Sequence, residues 1–157
     1  MRILVDTNII IYREDHKVID TQITGFHRIA QENHIKLLIH PGSLKDLEND
    51  KNIERKNILK SKLNVYPQLE TLPDFRFDAD YTKAFGEISR ANDEIDAQIL
   101  YALYRDAIDF LVTEDVKLIK RAARCGIKER VFTIPEILNF LNREFETKEI
   151  SLPIEIS

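Results

Sequence analysis

The chain has 157 residues, with 23 Lys and Arg against 27 Asp and Glu, a formal net charge of −4. Its length favours one domain able to bury about 68–70% of its unfolded surface, and a content of 43% apolar and 32% charged residues excludes a disordered, fibrous or membrane-embedded chain. The single cysteine, Cys125, excludes an internal disulfide and a cysteine-based zinc cluster, and no apolar run approaches the roughly 20 residues that span a bilayer.

Arg2-Ile-Leu-Val5 is a short, partly β-branched apolar run that stops at Asp6-Thr7-Asn8, and is expected to be a buried strand followed by a polar turn. Ile19, Ile23, Phe26 and Ile29/Ala30 recur at helical spacing and predict a helix over 18–33. A second strand is expected at Lys36-Leu-Leu-Ile39, stopped by Pro41-Gly42, with Ser43 as the cap of the next helix. Residues 67–80 read as a loop and 81–90 as a helix. Asn92-Asp93-Glu94 opens a longer helix with Ile95, Ile99, Ala102 and Leu103 on its inner face. Asp109-Phe-Leu-Val-Thr113 is the third expected strand. Asp115 starts a helix that ends at Arg124 before Gly126, a residue suited to a C-terminal cap. Arg130-Val-Phe132 is a fourth strand, and Thr133-Ile-Pro135-Glu136 combines a capping box with an early proline, so a last helix starts there. Strands alternating with helices predict an α/β domain, a three-layer α/β/α arrangement around a mainly parallel sheet of four or five strands. The domain is placed over 1–145, with 146–157 as a tail or linker.

Four acids fall at element boundaries. Asp6 ends the first strand, Asp46 and Asp96 are placed in the first turns of two helices, and Asp115 follows the third strand. In a parallel α/β sheet, strand C-termini and the helices that follow share the edge where ligands bind. Each of Asp46, Asp96 and Asp115 also suits an ordinary capping or dipole role. Asp6 is different, because a charge directly after a buried strand needs a partner or a metal. If the four converge, a hard divalent cation such as Mg²⁺ or Mn²⁺ is the matching ligand for an all-oxygen set. Such a site can activate water and stabilise displacement at phosphorus.

These segments resemble the PIN-domain family. Ile3-Leu-Val-Asp-Thr-Asn-Ile-Ile10 resembles the family's opening, and Ile39-His-Pro-Gly-Ser-Leu-Lys-Asp-Leu47 its second element, which usually carries Glu where this chain has Asp46. Glu48 is a competing candidate there. Asp96-Ala-Gln-Ile-Leu100 resembles the third acidic motif, and Asp109-Phe-Leu-Val-Thr-Glu-Asp115 the fourth, while Ala122-Ala-Arg-Cys-Gly-Ile127 and Val131-Phe-Thr-Ile-Pro-Glu-Ile-Leu138 resemble the closing elements. The resemblance spans residues 2–141 in the right order. It implies a Mg²⁺- or Mn²⁺-dependent endoribonuclease in which Asp6, Asp46, Asp96 and Asp115 hold one or two metals and a metal-activated water attacks the phosphodiester. Asn8 and Thr113 would support the site and Asp93 would be an outer carboxylate. Toxins held by an antitoxin, homodimers and fusions to a further domain are all implied by the family, and the sequence does not choose among them.

Two basic stretches are candidates for holding RNA. One runs over 51–62, and the other carries Lys117, Lys120, Arg121 and Arg124 along one helix, with Arg13 and the rings of Tyr12 and Tyr104 as further candidates. No phosphate-cradling glycine loop and no nucleophile elbow are present, and the four histidines lack paired metal spacing. Without a secretory signal, the expected location is the cytoplasm, with no membrane partner. Two alternative readings are a catalytically weak or inactive RNA-binding or regulatory module of the same fold, and a structure-specific DNA nuclease.

Overall fold

The structure is a computed structural model that describes residues 1–15, 21–48 and 50–150; of these, the side chains of 12–15, 46 and 146–150 lie outside the described set. Four strands form one sheet: β1 (Arg2–Val5), β2 (Lys36–Leu38), β3 (Phe110–Val112) and β4 (Val131–Phe132). All pairings are parallel, in the order β2-β1-β3-β4, with Leu4 beside Leu38 and Leu111, and Val112 beside Phe132. The described helices are α1 (Thr7–Asp15), α2 (Thr21–Glu32), α3 (Pro41–Glu48), α4 (Ile53–Leu63), α5 (Ala79–Phe85), α6 (Ala91–Tyr104), α7 (Val116–Arg124) and α8 (Ile134–Ile150).

The period-two alternation of the strands makes two cores, one on each face of the sheet. Leu4, Leu38, Leu111 and Val131 face α5, α6 and α7, where Tyr81, Phe85, Leu100, Leu103, Leu118 and Ala122 are buried. Ile3, Val5 and Val112 face the other way, onto Ile9 and Ile10 of α1, Phe26 of α2, Leu59 and Leu63 of α4, and Ile137 and Leu141 of α8. The fold is therefore a three-layer α/β/α sandwich around an all-parallel sheet. Among the described residues, no helix is long and apolar enough to cross a membrane.

The chain passes from β1 to β2 on one side, then returns past β1 to lay β3 on the other side. This reversal is a topological switch point, and it opens a crevice beyond the carboxyl ends of β1 and β3. Asp6 and Thr113 are the residues that leave those two ends.

Several boundaries differ from the sequence expectation. The segment after Asp6 is not a turn: α1 begins at Thr7, because Ile9 and Ile10, 4% and 3% exposed, find a place in the core. Helix α3 starts at Pro41, whose fixed φ suits a first helical position. Ser43 is thus inside the helix rather than its cap, and its amide donates to the His40 carbonyl at 3.0 Å. In consequence Asp46 lies in the second turn of α3. Asp96 likewise lies in the second turn of α6, which starts at Ala91. The helix expected over 81–90 is instead Ala79–Phe85, capped by the Asp78 side chain on the Tyr81 amide and stopped by Gly86 at φ 96°. Within 67–80, Gln68 bridges to Ile39 and a 3-10 turn covers Phe75–Phe77. The tail expectation beyond residue 150 lies outside the described residues.

Candidate active site

Acids from three elements act on one another around the switch point. Asp6 follows β1, and its amide donates to the Val112 carbonyl at 2.9 Å, so the residue is tied to β3 as well. Its Oδ2 accepts from Thr113 Oγ1 at 2.7 Å and its Oδ1 from the Asn8 amide at 3.2 Å. Thr113 is fully buried, and its Oγ1 in turn accepts the Asp115 amide at 3.1 Å. One hydroxyl thus fixes the backbone of one acid and the carboxylate of another. Asp115 is the N-cap of α7, with Oδ1 accepting from the Lys117 and Leu118 amides at 2.9 and 3.4 Å.

Asp96 enters from α6. Burial, reinforced by the charges of Asp115, Asp6 and Asp93 against the opposing pull of Arg121, pushes its carboxyl up to about 7. Burial also raises Asp6, with the hydrogen bonds of Thr113 and Asn8 opposing and Asp115 adding repulsion. Asp6 and Asp96 are therefore both harder to ionise, each feeling the charge of Asp115. Asp6 and Asp115 also line a crevice of about 550 Å³ with Asn8, Gln22 and Glu114, walled by Ile9, Ile23, Ile134 and Pro135.

Asp93 has a different task. It is 2% exposed, and its Oδ2 accepts from the Ser89 amide and hydroxyl and from the Arg90 amide at 3.1–3.2 Å. Its Oδ1 meets Lys117 Nζ at 3.2 Å and Arg121 at 3.0 Å. Burial alone would raise this carboxyl, but the hydrogen bonds from Ser89, Lys117 and Arg90 and the Arg121 charge hold it far below the ordinary range. A carboxylate so fully engaged is a holder of cations of the chain itself. Arg121 is held by it, stacked over the Phe85 ring at 4.5 Å, with one guanidinium nitrogen 3.9 Å from Asp96 Oδ2.

The other expected site residues fall as follows. The side chain of Asp46 lies outside the described residues, as does that of Arg13. Glu48 is paired with Lys60, which holds its carboxyl below the usual range. Asn8 supports Asp6 through its amide rather than its side chain. Arg121 was expected to contact RNA; at 7% exposed it is an internal counter-ion instead. Lys117 is exposed but paired with Asp93, while Lys120 and Arg124 remain exposed on α7. Tyr104 packs among aromatic neighbours, 5.2 Å from Tyr81 and 5.9 Å from Tyr101, and is a core ring rather than a stacking platform. In the 51–62 stretch, Arg55 is paired with Asp50 at 2.6 Å and Lys60 with Glu48.

Sequence reasoning missed Ser89, whose amide and hydroxyl hold Asp93. It also missed Glu114, whose Oε1 accepts the Ile134 amide at 2.7 Å and ties the turn after β3 to the start of α8. Asp93 accepting the Arg90 amide is half of a capping box, the local signal that marks the first of these. The second, a pairing across 20 residues, has no local signal.

As ligands for a cation, Asp6, Asp96 and Asp115 have the oxygen-only chemistry that a hard divalent ion takes, and their mutual repulsion is relieved by such a charge. Among the described residues, however, no three acidic, imidazole or thiol groups stand together as a ready-made metal cage. A shared ion therefore requires these side chains to turn toward each other. Compared with protein-family models, curated proteins and solved structures, the chain matches none of them at a significant level.

Two outcomes follow from this geometry. An acid that titrates higher folded than unfolded loses stability as pH rises, here between about 4 and about 7. In chelator, Asp96→Asn should therefore raise the thermal midpoint over the parent at pH 8 by about 2–4 °C, on the order of 1 kcal/mol after solvent screening, and not at pH 4; an equal gain at both pH values would contradict the repulsion. Arg121→Met, which removes the charge held by Asp93, should lower the midpoint by roughly 5–10 °C. Lys120→Met, on the exposed side of the same helix, should leave it nearly unchanged.

Proposed function

We propose that the chain is an endoribonuclease of PIN type that hydrolyses RNA phosphodiesters with Mg²⁺ or Mn²⁺. The observation that carries this reading is the mutual repulsion of Asp6, Asp96 and Asp115 around the switch point of a parallel sheet, with Arg121 3.9 Å from Asp96. Charges so arranged suit a divalent cation better than any neutral ligand. The PIN-like order of motifs in the sequence supports the same reading.

Asp6, Asp96 and Asp115 would hold the cation, with Asp46 of α3 as the further acid that the resemblance implies. A divalent cation bound by them supplies Lewis-acid stabilisation of a phosphoryl group and lowers the pKa of water. The chain supplies the rest. Thr113 and the Asn8 amide orient Asp6, and the α7 amides aim Asp115. Without a cation, burial and the neighbouring acids push the Asp96 carboxyl up to about 7, and a bound divalent ion would hold it ionised as a ligand. Asp93 keeps Lys117 and Arg121 beside the acids without entering their set. The apolar walls of Ile9, Ile23, Ile134 and Pro135 give a nucleobase somewhere to lie beside Asp6 and Asp115, and Lys120 and Arg124 are exposed for backbone phosphates. No side-chain nucleophile is needed.

A second reading is a binding module of this fold with little or no turnover. It is favoured by the absence, among the described residues, of a ready-made three-group cage, and by the place of Arg121, 3.9 Å from Asp96. Cleavage of single-stranded RNA separates the two. The nuclease reading expects cleavage that starts on adding Mn²⁺ or Mg²⁺ and stops with chelator. Asp6→Asn and Asp96→Asn should each lower it at least about 100-fold while the circular dichroism spectrum and thermal midpoint show an intact fold. Metal-independent cleavage, or equal cleavage by all three proteins, would contradict the proposal, and a preference for flap DNA over RNA would move it to a DNA nuclease.

A further inference from the structure

A second crevice, of about 390 Å³, lies at the start of α3 and is lined by His40, Lys45, Asp74, Phe75, Arg76 and Gln98, among others. His40 is 3% exposed, and its Nδ1 accepts the Gly42 amide at 3.0 Å. The ring's own N–H therefore sits on Nε2, and among the described residues no group accepts it. Burial, with the Lys45 charge adding to it, holds the imidazole down to about 4, so the ring is neutral at pH 7 and donates from Nε2 alone. Gly42 makes the close approach possible: a Cβ there would lie 3.0 Å from His40 Nδ1 and 3.5 Å from Gln98 Oε1.

The first amides of α3 are not the donors of this crevice. That of Gly42 is taken by the His40 ring and that of Ser43 by the His40 carbonyl. What remains is a fixed imidazole N–H, the Gln98 amide, and the cations of Lys45 and Arg76. Two acids oppose them: Asp74, which caps the Arg76 amide at 3.0 Å, and Glu94, which pairs with the Arg76 guanidinium. Lys45 has no such partner among the described residues, so it is the uncommitted charge. β1 and β2 are parallel neighbours with Leu4 beside Leu38, so Asp6 and His40, each two residues further on, leave the same carboxyl edge of the sheet.

We propose that this crevice is a phosphate-binding subsite in which the His40 Nε2–H, the Gln98 amide and the Lys45 ammonium grip the oxygens of one phosphate group. The phosphate comes either from a nucleic-acid strand whose next linkage lies at Asp6, which rests on the nuclease reading, or from a free anion, which does not.

Calorimetric titration of the full chain in chelator, first with inorganic phosphate and then with a short single-stranded RNA, tests this. Inorganic phosphate should bind in the millimolar range at pH 7. Lys45→Ala, an exposed substitution, should weaken it at least about fivefold, and His40→Phe should abolish it, while Lys36→Ala, exposed at the opposite end of β2, should leave it unchanged. If RNA affinity falls with the same variants and phosphate competes with RNA, the strand is the source; if RNA affinity is untouched while phosphate binding is lost, the subsite takes a free anion. No phosphate binding by the parent, or equal binding by parent and Lys45→Ala, would overturn the proposal. Because both arms run without divalent metal or cleavage, these results stand or fall apart from the nuclease reading.

Discussion

Like-charge crowding at one sheet edge is the constraint from which the rest of this protein follows. Asp6, Asp96 and Asp115 come from two strand ends and a helix, and burial together with mutual repulsion raises the first two. A packed protein tolerates such an arrangement only where some of the charge is offset. Arg121 does part of this from the inside. Asp93 anchors it, the Phe85 ring supports it, and its Nε and NH1 atoms are buried without a hydrogen-bond partner among the described residues. Leaving donor atoms of a buried guanidinium unmet is costly, and these N–H groups call for an acceptor at this edge.

The fold makes this crowding unavoidable. A parallel sheet sends every strand end to the same edge, and the order β2-β1-β3-β4 puts the ends of β1 and β3 side by side. Thr113 links them, giving its hydroxyl proton to Asp6 and accepting the Asp115 amide. Helix α6 then crosses so that Asp93 meets Lys117 and Arg121 of α7, which brings Asp96 to the same place. The net charge of −4 is thus unevenly spread. An acidic edge sits beside cations on α7, where Lys120 and Arg124 are exposed and, among the described residues, outside an ion pair. Two divalent ions would cancel the net charge and turn that edge attractive to phosphate.

Much of this was legible in the sequence where the signal was local. Apolar β-branched residues ending in Asp6 marked β1, Asp115 before an amphipathic run marked the cap of α7, and Gly126 marked its end. The alternation of strands and helices gave the layer architecture. The rest depended on tertiary packing. Helix α1 carries three consecutive isoleucines, poor helix formers, and exists because the core accepts two of them. The depth of Asp96 in α6 was misjudged because the helix begins one residue before Asn92. Arg121 looked like a surface cation because its burial depends on Asp93, 28 residues earlier on another helix, and no local pattern reports that meeting. His40 looked like an unpaired histidine with no role, since its donor is aimed by a glycine that lets the backbone come close.

A crystal of the protein soaked in Mn²⁺ tests the central claim most directly, because anomalous scattering locates the ion without reference to activity. The account predicts a strong peak beyond the carboxyl ends of β1 and β3, within 2.0–2.4 Å of oxygens from Asp6 and at least one of Asp96 and Asp115, roughly the range for a hard cation on carboxylates, with those side chains turned inward from their places here. An edge that stays empty at saturating Mn²⁺, or a peak elsewhere on the surface, would contradict it.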